Sequence, residues 1–381
     1  MEWRYRWVLV AGLVFCFLSG PAESYEYNVV NLGTIGSNGS RAYGINDNGQ
    51  VVGGLRDSGG NYVGAFFWTA GTGMQELTSS GGPTRAWDIN NAGQIVGVAS
   101  DRPALWETRT GGPTDIGTLG GPTGTAFRIS ESGHIVGWAD LPYNTDLASS
   151  VYHAFVYENE TITDLGTLNS VNSQYDYGYS LSYDINSSGR IVGIAHTDTF
   201  ALNAALWDVT GTEPVITDLG THPDHPGSEG YASVINEKGT IVGHGYVAAE
   251  GGSYPMQWNE STGTWVPIPM LASFPYGEFY DINESDQMVG VGWDSDGTEH
   301  AVLYDTQGSA EDLNDLIPGG SGWELSFANG INEKGQIVGL GQFNGEERAF
   351  LLEPVPLPPS ISMLSLGLLG IIAFGRKYIR S

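Results

Sequence analysis

Short apolar runs alternate with Gly- and Asn-rich breaks along most of this chain, and the alternation repeats. One nonapeptide occurs seven times: INDNGQVVG from Ile45, INNAGQIVG from Ile89, ISESGHIVG from Ile129, INSSGRIVG from Ile185, INEKGTIVG from Ile235, INESDQMVG from Ile282 and INEKGQIVG from Ile331. Successive copies start 44, 40, 56, 50, 47 and 49 residues apart. Asn or Ser, two polar residues and Gly between apolar runs predict a β-hairpin turn. The first residue caps it and Gly takes the left-handed conformation. Asp286 stands for Gly in the sixth copy, and Asp tolerates that conformation better than most residues. Each copy leads to an apolar-aromatic run such as AFFW at Ala65, HAFVY at His153 or AALW at Ala204. Most then reach an Asp-Leu-Gly element, as at Asp164 and Asp218. Four short strands in about 40–50 residues make a β-propeller blade.

The phase of the repeat predicts how the ring closes. The seventh copy ends at RAFLLEP without its Asp-Leu-Gly strand, while YNVVNLGT from Tyr27 precedes the first copy as a spare one. Pairing the two removes the open edge that an unclosed array would leave. The expected fold is therefore all-β, a seven-bladed β-propeller over residues 25–353 closed by its N-terminal strand. With the Ile-Asn strand innermost, the constant turns share one face of the ring and the irregular loops share the other. Irregular loops on a rigid scaffold are the usual place for binding.

Both ends read as addresses. Residues 1–24 carry Arg4 and Arg6, an apolar run from Trp7 to Leu18, and Ala22-Glu23-Ser24, the pattern of a secretory signal peptide. The one cysteine, Cys16, lies within it, so the mature chain is expected to lack disulfides and thiolate metal sites. At the other end a Pro-rich linker, 354–360, precedes an apolar run from Ile361 to Phe374 and a basic tail with Arg376, Lys377 and Arg380. At about 1.5 Å per residue that run reaches about 21 Å, short of a hydrocarbon core of about 30 Å. It crosses only with help from its flanks, leaving the basic end cytoplasmic.

About the last 27 residues resemble the PEP-CTERM sorting signal of Gram-negative bacteria: Pro356-Leu357-Pro358, a short hydrophobic helix, then Arg376 and Lys377. Leu357 stands where the commonest form has Glu. The resemblance implies a transient inner-membrane anchor, a sorting protease (exosortase) as partner, and company with exopolysaccharide systems. The blades also resemble the extracellular HAF repeats, named for a strand present here as His153-Ala154-Phe155. That implies an extracellular repeat protein and no particular reaction.

Charge narrows the partners. The chain has 15 Lys+Arg against 43 Asp+Glu, a formal charge of −28. Residues 25–353 alone carry −31. A nucleic-acid binder needs a basic stripe, so nucleic acid is excluded. The partner classes left are an extracellular polysaccharide or a surface protein, with the protein periplasmic, on the cell surface or extracellular.

Candidate ligand contacts sit in the irregular loops: Tyr143, Tyr175, Tyr177, Tyr179 and Trp323, rings that can stack on a sugar. No catalytic residue is singled out. His222 and His225 offer two metal ligands without a third. Asp294, Asp296 and Glu299 echo a calcium loop but fall short of the roughly twelve-residue pattern, and read first as a hairpin turn. No cofactor is expected, with calcium left open. Three functions remain: non-enzymatic binding, a propeller enzyme acting on extracellular glycans, and a matrix scaffold without a small ligand.

Overall fold

The computed structural model describes residues 26–79, 81–143, 151–169, 178–304 and 310–355. The expected signal peptide, linker, apolar run and basic tail lie outside them, apart from Pro354 and Val355 of the linker. Twenty-eight strands, β1–β28 in chain order, form seven four-stranded antiparallel sheets, with no helix among the described residues. Blade 1 is β2 (Gly39–Ile45), β3 (Val51–Arg56), β4 (Tyr62–Thr69) and β5 (Gly73–Glu76), in that order from the axis outward. Five more blades repeat the order, beginning with β6 (Thr84–Ile89), β10 (Gly124–Ile129), β14 (Ser180–Ile185), β18 (Glu229–Ile235) and β22 (Tyr276–Ile282). The ring is the expected seven-bladed propeller.

Blade 7 has the order β1-β28-β27-β26, with β26 at Trp323–Ile331, β27 at Ile337–Phe343 and β28 at Glu346–Pro354. The outer strand is β1 (Tyr27–Gly33), antiparallel to β28 from Tyr27↔Pro354 to Gly33↔Ala349. Tyr27 packs with Leu313, Leu325 and Phe350, and Leu32 packs with Val338, Leu351 and Ala42. The first strand thus joins the cores on both sides of the seam. Each core lies between two blades. Val136, Ala154 and Val156 of blade 3, for instance, meet Ile191, Ala205 and Trp207 of blade 4. The third-strand tryptophans Trp106 and Trp207 are fully buried, and the indole N–H of Trp207 donates to Leu165 O at 2.9 Å.

Every inner strand carries a β-bulge just before its terminal Ile, as between Ser182 and Asp184. The Gly of each Ile-Val-Gly sits opposite it. A Cβ on Gly193 would lie 1.9 Å from Leu181 O, and one on Gly243 would lie 1.8 Å from Tyr231 O. That Gly is demanded by backbone approach rather than by φ. The turn positions differ, since Gly93 has φ 84° and Asp286, its stand-in, φ 58°.

Candidate functional site

The two ends of the central channel are built differently. On the constant-turn face the nonapeptide does more than turn. Asn46 Oδ1 accepts from Asn48 N (3.1 Å) and Gln50 N (3.0 Å), which is the expected cap. Its Nδ2 donates to Asn90 O in the next blade at 2.9 Å. Asn90, Asn186, Asn236, Asn283 and Asn332 repeat this donation to the following blade. All six are buried, at 1–4% exposure. One residue further out, backbone N–H groups donate to the next blade's side chain: Asn91 to Glu131, Glu237 to Glu284, Glu284 to Glu333 and Glu333 to Asp47. The clasp is interrupted at Ser130, which has no amide to donate. There Ser182 Oγ bridges blades 3 and 4, accepting from Gly137 N at 2.9 Å and donating to Gly137 O at 2.6 Å. The polar groups of this face are largely committed to holding blades together.

A charged layer closes the channel in its middle. At the bulge position blades 2, 4 and 6 carry Asp88, Asp184 and Asp281, and blade 3 carries Arg128. One oxygen of each Asp accepts the Ile N–H of the following blade: Asp88 from Ile129 (3.0 Å), Asp184 from Ile235 (2.8 Å) and Asp281 from Ile331 (2.8 Å). The other faces the Arg128 guanidinium, at 3.6, 3.8 and 3.4 Å respectively. Arg128 also donates to Tyr280 O at 2.6 Å. Burial works against its charge, but Asp281, Asp88 and Asp184 outweigh burial and hold its pKa above the ordinary value. One cation cannot balance three carboxylates. Burial therefore pushes Asp184 up to about 7 and Asp281 up to about 6, against the pull of Arg128 and of their backbone donors.

Above this layer, on the irregular-loop face, the channel opens into a cavity of about 700 Å³, in the size range of small-molecule sites. Two residues before the terminal Ile, the seven inner strands present Tyr43, Trp87, Phe127, Tyr183, Ser233, Tyr280 and Asn329, and all seven line it. The aromatic faces form a wall: Tyr43 and Trp87 are 4.4 Å apart by ring centroid, Trp87 and Phe127 5.6 Å, and Phe127 and Tyr183 6.2 Å. Two residues earlier stand Arg41, Arg85, Tyr231 and Glu278.

The wall is electrically divided. Arg41 and Arg85 occupy neighbouring blades 1 and 2. Across from them, Glu229 accepts from Tyr231 OH at 2.8 Å, and Glu278 accepts from Ser253 Oγ at 2.8 Å and Tyr280 OH at 3.2 Å. His244 stacks on Tyr231 at 4.5 Å, with its Nε2 3.6 Å from Glu278. Burial lowers its pKa more than Glu278 raises it.

The expected contact residues that the structure describes lie outside this cavity. Tyr143 is 61% exposed beyond the second strand of blade 3. Tyr179 is wedged between Tyr152 (5.0 Å) and His196 (4.0 Å), and Trp323 packs on Phe343 at 5.2 Å. None of the three lines the cavity. Tyr175, Tyr177, Pro356, Pro358, Arg376 and Lys377 lie outside the described residues. Asp294 accepts from Asp296 N (2.9 Å) and Thr298 N (3.0 Å) in a hairpin turn, and Glu299 opens the next strand. His225 stacks on Tyr254 at 4.0 Å, with the ring of His222 4.9 Å away. No group of three or more His, Cys, Asp or Glu among the described residues is placed to hold a metal. His153 and His300 pair with Asp164 (2.9 Å) and Asp312 (2.6 Å), joining third strand to fourth at matching positions.

The cavity's inner-strand residues lie outside the irregular loops. Their signal is in the repeat. Aligning the seven copies on Ile and reading two and four positions upstream gives Tyr, Trp, Phe, Tyr, Ser, Tyr, Asn and Arg, Arg, Thr, Leu, Tyr, Glu, Phe.

Residues 122–255 match a family described as proteins of unknown function (DUF3466). No curated protein matches in sequence. Among solved structures, an oligogalacturonate lyase in complex with manganese is similar at TM-score 0.58 and 11% identity, covering 87% of this chain and 94% of its own. An oligogalacturonate lyase from Vibrio parahaemolyticus is similar at TM-score 0.51 and 12% identity, covering 86% and 94%. At such identities the likeness is one of fold.

Proposed function

We propose that this chain is an exported, non-enzymatic repeat protein that binds extracellular polysaccharide through the mouth of its central channel. The observation that carries this reading is the cavity wall. Five of its seven inner-strand positions are aromatic, and hydroxyl, carboxylate and guanidinium groups stand at the rim. Ring faces stack on the apolar faces of sugars, and the few polar groups around them fix orientation. The HAF and PEP-CTERM resemblances support export, a tail held transiently in the inner membrane, and sorting by an exosortase.

A second reading, cleavage of the bound glycan, is favoured by one observation: His244 and Glu278, an imidazole and a carboxylate 3.6 Å apart, share this cavity. The oligogalacturonate lyases of similar fold are compatible with it, though fold alone does not assign a reaction.

The test is co-sedimentation of the purified protein with the extracellular polysaccharide of the producing cells, comparing wild type with Trp87→Ala. Saturable binding that the substitution abolishes supports the channel-mouth site. Binding unaffected by Trp87→Ala moves the site to another surface. New chain ends appearing in the polysaccharide would turn the reading to the enzyme.

A further inference from the structure

Arg41 and Arg85 are unusual in this chain. With 43 Asp+Glu against 15 Lys+Arg, the other half-buried cations among the described residues, Arg56, Arg102, Arg128, Arg190 and Arg348, each find a carboxylate. The Arg85 side chain makes no hydrogen bond or ion pair among the described residues. Aromatic faces hold it instead, its Cζ 3.8 Å from the Tyr62 ring centroid and 4.4 Å from that of Trp87. The Arg41 guanidinium lies 4.6 Å from the Phe327 ring and, among the described residues, donates only to Asn329 Oδ1, at 2.9 Å. Its field is felt at Glu299, where it opposes the upward push of burial on that carboxyl, but no carboxylate among the described residues comes within ion-pair distance.

A second observation points the same way. The Nε atoms of Arg41 and Arg85 and the Nε1 of Trp87 are buried without a hydrogen-bond partner. Leaving such a donor unmade costs about 1–3 kcal/mol, so groups of this kind need an explanation. Here three sit on two adjacent blades around one cavity. With its Nε buried, a guanidinium stacked on rings is fixed in orientation and presents its Nη end, a pair of N–H donors that can meet a carboxylate bidentately.

We propose that this cavity is an end-binding site for acidic saccharides. Arg41 and Arg85 receive the carboxylate of a terminal uronic-acid residue, and Glu229 and Glu278 accept hydroxyls on its far side. This assignment rests on the saccharide reading above and names its ligand class. The charged layer of Arg128, Asp88, Asp184 and Asp281 stops the channel below the aromatic wall, so a chain enters by its end and does not thread through. The site also reconciles an anionic ligand with a domain of charge −31. The outer acids repel a polyanion at long range, whereas inside the cavity, within a Debye length of about 8–10 Å, the two guanidinium groups act on one acid group.

The experiment measures binding by tryptophan fluorescence and calorimetry. The probes are galacturonate and glucuronate tetrasaccharides, the same tetrasaccharides with carboxyls reduced to alcohols, sulfated tetrasaccharides of neutral sugars, and a long polyuronate. Wild type is expected to bind a uronate tetramer at least 10-fold tighter than its reduced counterpart, with the same affinity per mole of chain for the long polymer. Arg85→Met is expected to remove that preference, bringing the affinities for the charged and reduced tetramers to within about twofold of each other. Equal affinity for charged and reduced tetramers would overturn the carboxylate assignment while leaving saccharide binding standing. Preference for the sulfated probe would also overturn it. Affinity rising in proportion to chain length would overturn end binding. Failure of wild type to bind any tetramer would overturn this proposal and leave the saccharide reading to the co-sedimentation test. Should Arg85→Met not fold, the wild-type ratio between charged and reduced probes still decides the question.

Discussion

The side-chain amide of Asn332 donates to the backbone carbonyl of Asn46 at 3.0 Å, joining residues 286 apart in the chain. It is the seam's copy of a bond made at most junctions of the ring. The residue that caps a local turn with its oxygen therefore also locks one blade to the next with its nitrogen. Asn332→Asp keeps the cap and removes the donor. It is expected to destabilise the propeller by about 1–3 kcal/mol in denaturant titration, whereas Asn332→Ala loses both functions and costs more. An Asn332→Asp variant as stable as wild type would mean that the cross-blade bond contributes nothing, and equal losses for the two variants would mean the same of the cap.

The N-terminal strand closes the ring by hydrogen bonds and by burying Tyr27 and Leu32. Deleting Tyr27–Gly33 exposes the edge of β28 and opens the cores that those side chains complete. Aggregation or a large fall in melting temperature is the expected result. A soluble deletion variant of unchanged melting temperature would show that the seam closes without β1.

Arg128 stands among three carboxylates, and removing it strands them. Arg128→Met is expected to cost about 3–5 kcal/mol at pH 8, measured by urea unfolding. The cost should shrink towards pH 5, where Asp184 and Asp281 are protonated. A pH-independent penalty would mean that these groups do not titrate in the folded state.

The same carboxylates set a pH dependence in the wild type. Their folded pKa values, about 7 for Asp184 and about 6 for Asp281, lie above the unfolded value near 4. The folded state therefore binds more protons than the unfolded chain between pH 4 and 7. Their contribution to stability is complete below about pH 4 and is lost as pH rises through 6 and 7, by at most about 1.4 kcal/mol per pH unit per group. Asp184→Asn should flatten the stability curve over that window relative to wild type. Parallel curves would refute the shift.

Gly193 leaves no room for a side chain. Gly193→Ala places a Cβ 1.9 Å from Leu181 O and is expected to destabilise the protein by several kcal/mol. Gly193 itself does not have a positive φ, so the cost is steric. An Ala variant within about 0.5 kcal/mol of wild type by thermal unfolding would show that the bulge relaxes.

Tyr179 and Trp87 separate loop packing from ligand contact. Tyr179→Ala is expected to lower the melting temperature through lost packing on Tyr152 and His196 while leaving polysaccharide affinity within about twofold. Trp87→Ala should do the reverse. The opposite pattern would return the binding site to the irregular loops.

Much of this architecture was legible along the chain because a repeat is a local signal. Seven copies of one turn gave the strand count, the blade count and the innermost strand. The missing fourth strand of the last copy matched the spare strand at Tyr27, and the turn chemistry of Asn, Gly and Asp286 followed from backbone conformation alone. What tertiary structure decided depends on distances between blades. No linear pattern shows that Asn46 reaches Asn90, that the Gly of Ile-Val-Gly faces a bulge carbonyl, or that Arg128 meets carboxylates from blades 2, 4 and 6. The cavity is the clearest case. Its residues are spread from Arg41 to Asn329, one or two to most blades, and become a site only when ring closure brings seven inner strands around one axis. The loop tyrosines looked more like ligand contacts because loops are exposed in sequence terms. In three dimensions Tyr179 is packed on its neighbours, while Arg41 and Arg85 are held on aromatic faces with no carboxylate among the described residues in reach.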